Sequence, residues 1–307
     1  MSWFPWRKAP AGQVGLEIGA EFIAFAHIDT NTPPRAQLTA CEMLLATDGS
    51  LPMDSLRQRV EQLGLTGSPC NLVLPSSYYQ LMLVEAPKVP AEELNDALRF
   101  RIKDMIAFPI DEALLDTFDL PTDSSRSGRH MVYAVVTEEA KIKPLIEAVA
   151  EAGLNLQSID IAEMALRNLT EKLPVDARGV AVMRVLPGQG MLTLMREGQL
   201  YLSRQFDLRY NGGLFDDLPE EQLVLELQRS LDYYERQMGQ VPPGNVYLCG
   251  ENVTDDKIGD DLSGGIAAAV TTLNISGLLQ IKEGIDESVM QLCVTAIGGA
   301  LRGNAEA

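Results

Sequence analysis

Short apolar runs and helical stripes alternate along this chain. The stretch Val14-Gly15-Leu16-Glu17-Ile18-Gly19-Ala20-Glu21-Phe22-Ile23-Ala24-Phe25-Ala26-His27-Ile28 predicts two short strands around a glycine-containing turn. A strand near Ala40–Ala46, a helix through Ser55–Leu63 and the apolar strand Asn71–Leu74 follow. From residue 78 to about residue 153 the pattern predicts an inserted α/β subdomain. It holds the strand Gln80–Glu85 and a helix Ala91–Phe108 with Leu94, Leu98, Ile102 and Met105 on one stripe. The strands Ala113–Leu120 and Met131–Val136 come next, then the helix Glu138–Ala152. Pro90 suits the first turn of the former helix, and Thr137 is expected to cap the latter. Asn155–Ile159 re-enters the first domain, and Ile161–Leu169 is a linking helix.

A second strand-turn-strand element begins about 165 residues after the first, a weak internal duplication. Val180-Ala181-Val182-Met183-Arg184-Val185-Leu186 turns through Pro187-Gly188-Gln189-Gly190 and returns as Met191–Leu194. After the turn Glu197-Gly198 the chain runs on as Gln199–Arg204. The helix Pro219–Met238 then places Leu223, Leu227, Leu231 and Tyr234 on one stripe and ends at Gly239. Two domains are therefore expected, residues 1–178 with the insertion at about 78–153, and residues 179–307.

Composition narrows the function classes. A net charge of −18 argues against nucleic acid as a general partner. Acidity concentrates between Asp207 and Glu287, with 16 acids against 5 bases, whereas Arg99, Arg101 and Lys103 cluster before Phe108. Cys41, Cys70, Cys249 and Cys293 are widely spaced and only His27 and His130 accompany them, so metal sites and Cys/His nucleophile schemes lack their residues. No apolar run is long enough to span a bilayer. Trp3-Phe4-Pro5-Trp6-Arg7-Lys8 lacks a signal-peptide core; it reads as a weak surface anchor or as a terminus packing on its own domain.

The segment Phe100-Arg101-Ile102-Lys103-Asp104-Met105-Ile106-Ala107-Phe108-Pro109-Ile110-Asp111-Glu112, followed by Ala113–Leu120, is by itself an ordinary helix, proline stop and strand. It also resembles the aromatic-Pro-hydrophobic-acid-acid passage of PilM-type proteins, the actin-like cytoplasmic components of type IV pilus assembly. The two hairpins, the strand and turn Val246–Glu251, and the terminal Val294–Arg302 are similar to that family's phosphate hairpins, adenosine-side turn and last helix, in order. The mannose-sensitive haemagglutinin (MSHA) pilus branch is the nearest likeness. The resemblance implies an α/β, actin-like two-domain ATPase fold with an inserted small subdomain, arranged as in the cell-division protein FtsA. GspL of type II secretion is also similar, but continues into a membrane helix that this sequence does not carry.

Mapped onto the family's pattern, the nucleotide positions are Glu17, Gly19 and Ala20 in the first hairpin, Arg184 and Leu186 in the second, and Gly250 and Glu251 at the adenosine turn. Several depart from it. Glu17 stands where aspartate is usual, Glu21 adds a carboxylate to the turn, and Arg184-Val185-Leu186 replaces an Asp-hydrophobic-Gly. Metal-assisted phosphoryl transfer needs positioned metal ligands and anion donors. A non-catalytic pseudo-ATPase is therefore expected, with ATP and magnesium disfavoured and no other cofactor or metal. The resemblance implies a scaffold at the cytoplasmic face of the inner membrane. Its partner would be the N-terminal tail of a PilN-like single-span membrane protein, with the pilus assembly ATPase as a further partner. Arg99, Lys103 and Phe108 are the candidate groove residues. Alternatives are an ATP-gated switch and a sugar-kinase-like enzyme, the latter without a candidate base.

Overall fold

The computed structural model describes residues 11–30, 36–124, 128–174, 177–259, 262 and 264–303; Trp3–Lys8 lie outside them. The first hairpin is β1 (Gln13–Ile18) and β2 (Phe22–Asp29), antiparallel and in register from Gln13 against Ile28 to Ile18 against Ile23. β3 (Gln37–Leu45) pairs antiparallel with β2. After α1 (Met53–Gln62), β4 (Pro69–Leu74) and later β8 (Asn155–Ile161) add in parallel beside β1. The second hairpin opens a sheet on the same plan. β9 (Val180–Leu186), β10 (Gln189–Arg196) and β11 (Gln199–Asp207) are antiparallel, and β12 (Asn245–Gly250) and β13 (Ala269–Thr272) extend it in parallel beyond β9. The orders β3-β2-β1-β4-β8 and β11-β10-β9-β12-β13 are the same arrangement twice, so the weak sequence duplication is a structural one.

The chain forms two compact units, residues 1–75, 143–165 and 279–307, and residues 76–142 and 166–278. The expected boundary at 178/179 assigned everything after it to the second domain. Instead, past the short helix α6 (Ile275–Leu278), β14 (Gln280–Ile281) pairs with β3, and α8 (Val294–Ala300), which follows α7 (Glu287–Leu292), covers β1 and β4. Small residues make this possible. A Cβ on Gly15 would lie 1.8 Å from the Ala296 carbonyl oxygen, and one on Gly298 2.1 Å from that of Ala165. The helix therefore rests on the sheet at backbone distance. Polar bonds fix it: Asn71 donates to the Gly299 carbonyl at 3.3 Å, and Arg302 donates to Asp160 at 2.6 Å.

The inserted subdomain is an antiparallel sheet β5-β7-β6, from β5 (Gln80–Glu85), β6 (Ala113–Asp119) and β7 (Met131–Glu138), with α2 (Leu94–Ile102) laid on it. Its core joins Val84, Leu98, Ile102, Ala113, Val132 and Val136. The expected helix Ala91–Phe108 is shorter. Ala91–Glu93 form a 3-10 turn, α2 ends at Ile102, and Met105 is exposed. Ile106 and Phe108 instead fold back onto the core from a turn, and the residue before Pro109 is sterically barred from helix.

Thr137 does not cap α3 (Glu139–Glu151). It is still in β7, and its hydroxyl donates to the Tyr78 carbonyl at 2.6 Å. The linking helix is α4 (Ala162–Thr170). α5 (Glu220–Arg236) buries Leu223, Leu227, Ser230 and Tyr234, leaving Leu231 half-buried, because a 4-3-4 step follows the helical period more closely than a uniform 4.

Candidate functional site

The residues expected at a nucleotide site fall on both units: Glu17, Gly19 and Ala20 on the first, Arg184, Leu186, Gly250 and Glu251 on the second. In the first hairpin Gly15 and Glu17 point to one face, as alternation requires. Gly15 is covered by α8, and Glu17 meets the same helix: Thr295 donates its hydroxyl to the Glu17 carboxylate, and both residues are buried. At the turn the Gly19 N–H closes on the Phe22 carbonyl at 2.9 Å, while Ala20 and Glu21 are exposed. The turn thus presents a carboxylate to solvent where a phosphate hairpin presents small residues.

In the second hairpin the turn is bound by the protein itself. Gly188 donates its N–H to the Tyr210 carbonyl at 2.8 Å, and its own carbonyl accepts from the Leu208 N–H at 3.0 Å. The same segment reaches the adenosine-side turn: the Tyr210 hydroxyl donates to the Glu251 carbonyl at 2.7 Å, and the Asn252 amide donates to the Gly212 carbonyl. Glu251 N–H returns to the Val185 carbonyl at 3.2 Å. Tyr210 is buried, and burial, reinforced by the Glu251 and Asp216 charges, pushes its hydroxyl pKa up; burial also raises that of the Glu251 carboxyl. Residues 208–213 therefore lie across both turns.

Sequence reading missed that segment. Its signal was Tyr210 beside Asn211-Gly212-Gly213, an aromatic anchor in a turn-forming stretch. Arg184 is buried on β9 between Met191 and Cys249, in a small recess with Ser76, Leu186 and Gln189. Burial raises the Cys249 thiol to about 12, against the smaller opposing effect of Arg184.

The subdomain carries a recess of about 430 Å³ lined by Asp96, Arg99, Phe100, Lys103, Ile110 and Asp111. Asp96, Arg99, Phe100 and Lys103 share the face of α2 opposite Leu98 and Ile102, as their spacing of three and four dictates. Arg99 is oriented by donating to the Ile110 carbonyl at 3.0 Å. Phe100 is 77% exposed in this recess. Of the predicted groove residues, Arg99 and Lys103 come together; Phe108 packs against the subdomain core instead. Phe100 was overlooked, although its place opposite the apolar stripe was readable.

Among the described residues no group of His, Cys, Asp and Glu could hold a metal ion, and no helix is long and apolar enough to cross a membrane. His27 lies buried on β2 against Thr39, and His130 forms a surface pair with Asp119 at 2.8 Å.

Protein-family models and curated protein sequences give no match to this chain. Solved structures do. A PilM–PilN type IV pilus biogenesis complex is 20% identical, covers 95% of this chain and 98% of that one, and has a TM-score of 0.71. The cytoplasmic domain of EpsL, an inner-membrane component of the type II secretion system of Vibrio cholerae, is 10% identical, with coverages of 96% and 99% and a TM-score of 0.53. A Bacteroides thetaiotaomicron protein with an actin-like ATPase fold is 11% identical, with coverages of 96% and 99% and a TM-score of 0.54. Together with the sheet order repeated in the two units, these likenesses establish that the chain has the actin-like ATPase fold.

Proposed function

We propose that this chain is a non-catalytic scaffold of a type IV pilus assembly machine of the MSHA type, most like the biogenesis protein MshI. On this reading it binds the cytoplasmic N-terminal tail of a PilN-like single-span protein and is recruited by it to the cytoplasmic face of the inner membrane. The pilus assembly ATPase is a second candidate partner. The fold-level likeness to a PilM–PilN complex along 95% of the chain supports the pilus setting. The observation that carries the non-catalytic part is the Gly188 N–H, already donated to the Tyr210 carbonyl.

Phosphate hairpins bind anions through main-chain N–H groups in a tight turn. Here the second turn is tied down by residues 208–213, and in the first unit Glu17 accepts from Thr295. Arg184 stands in place of a metal-positioning acid, and the exposed Glu21 would repel phosphate. These residues do not fit Mg-ATP. The competing reading, a nucleotide-gated switch, is favoured by the survival of both hairpins in regular register.

Folding a short tail into a groove supplies apolar burial and main-chain pairing at the cost of ordering the tail. The Phe100 recess, with Arg99 and Lys103 at hand, is the docking place on the subdomain. Membrane co-purification with identification of the partner tests the reading. Tagged protein is expected to move to the cytosol when the partner's tail is deleted, and to stay at the membrane when residues 1–8 are removed. The opposite pattern would make Trp3–Lys8 a lipid anchor and overturn recruitment by a partner.

A further inference from the structure

Residues 76–142 enter and leave through chain that belongs to the first unit, yet they pack with residues 166–278. Their attachment to that lobe is therefore entirely non-covalent. We propose that Asp123 is the latch that holds the inserted subdomain on the second lobe, so that the Phe100 recess travels with β9–β13 and α5. This proposal stands without the pilus reading.

Asp123 sits in the short turn Thr122–Ser124 between β6 and β7. Its carboxylate accepts from the Arg196 guanidinium, at the end of β10, and from the Tyr201 hydroxyl on β11 at 2.9 Å. Its main-chain carbonyl accepts from the Gln240 amide, beyond α5, at 2.7 Å. The lobe side is pre-arranged for it. Arg196 donates to Gln240 at 2.5 Å and stacks 4.7 Å from the centre of the Tyr201 ring, which meets Tyr234 edge-on at 5.8 Å. Burial disfavours the Asp123 carboxylate, but the bonds from Tyr201 and Arg196 outweigh it.

Two lesser ties accompany the latch: Tyr133 donates to the Tyr201 carbonyl at 3.0 Å, and Ser76 donates to Gln189 at 3.1 Å. These ties are polar bonds, whereas the subdomain has an apolar core of its own. The Asp123 side chain is 50% exposed, so water screens its ion pair and can replace its bonds. A joint held by such partly solvated polar bonds opens more readily than the apolar core of the subdomain. Three of its contacts converge on Asp123, and a substitution there removes the two made by the carboxylate, including the ion pair.

Spin labels on the full chain test this, one at Arg129→Cys on the subdomain and one at Arg236→Cys on α5. Both sites are exposed, and the four native cysteines are buried, so labelling is selective. With Asp123 intact a single narrow distance distribution is expected. With Asp123→Ala it should broaden at least about twofold, while the unfolding transition stays cooperative. Gln240→Ala, which removes the bond to the Asp123 carbonyl and the acceptor that helps hold Arg196 while leaving the Asp123 carboxylate in place, should broaden it less and provides the test should Asp123→Ala fold poorly. A distribution that stays narrow in both variants, or one already broad with Asp123 intact, overturns the latch.

Discussion

Gly188 donates its N–H to the carbonyl oxygen of Tyr210, 2.8 Å away. The donor that an actin-like hairpin would offer to a phosphate is spent inside the protein. Because Tyr210 also bonds Glu251 through its hydroxyl, one buried residue ties the Pro187-Gly188 turn and the Glu251 turn of this lobe together. Freeing the Gly188 N–H would strand the Tyr210 carbonyl and disturb a buried ring, a cost on the order of 1–3 kcal/mol for an unsatisfied group. A ligand must overcome that cost before it gains anything.

The packing of α8 against α4 is expected to tolerate no side chain at Gly298. Gly298→Ala places a Cβ 2.1 Å from the Ala165 carbonyl oxygen on α4, so one of the two helices must shift. A loss of about 1–3 kcal/mol is predicted in urea unfolding. Gly264→Ala, where a Cβ meets nothing within 4 Å, should change stability by less than about 0.5 kcal/mol.

The hairpins, the inserted subdomain and the order of elements were legible because each strand is a short apolar run and each turn carries its glycine or proline. The second unit's strands Val180–Leu186 and Gln199–Arg204, for example, stand where the pattern put them. What was not legible depended on partners distant in sequence. Thr295 lies 278 residues from the glutamate it bonds, and no local pattern marks it. Met105 continued a helical stripe, yet Ile106 and Phe108 filled the core in its place. The return of residues 279–301 to the first sheet was hidden for the same reason, since a small-residue helix reads alike on either lobe.

On the proposed reading, Phe100 and Phe108 separate recognition from folding. Phe100→Ala removes an exposed ring and should leave stability within about 0.5 kcal/mol while weakening capture of the partner's tail about tenfold or more. Phe108→Ala should instead lower stability, by about 2–3 kcal/mol, because the ring packs on the subdomain core. Tail-peptide titration and urea unfolding on both variants check the contrast.

His27 makes stability fall in mild acid. Burial, partly offset by Asp29, holds its imidazole below the ordinary value of 6.5, and its Nε2 is buried without a hydrogen-bond partner. The unfolded chain takes up this proton as pH drops through about 6.5, and the folded chain does so only at lower pH. The contribution is thus full above that value and is lost as pH falls below it. The urea midpoint should decline between about pH 7.5 and about pH 5.5, and His27→Gln should flatten that decline.

Calorimetric titration of the full chain with Mg-ATP bears most directly on the proposal that this is a non-catalytic scaffold whose Gly188 N–H is already bonded within the protein. Only heats of dilution are predicted up to about 1 mM nucleotide. Saturable binding in the low micromolar range, abolished by Glu17→Ala, would contradict that claim and restore the nucleotide-gated switch.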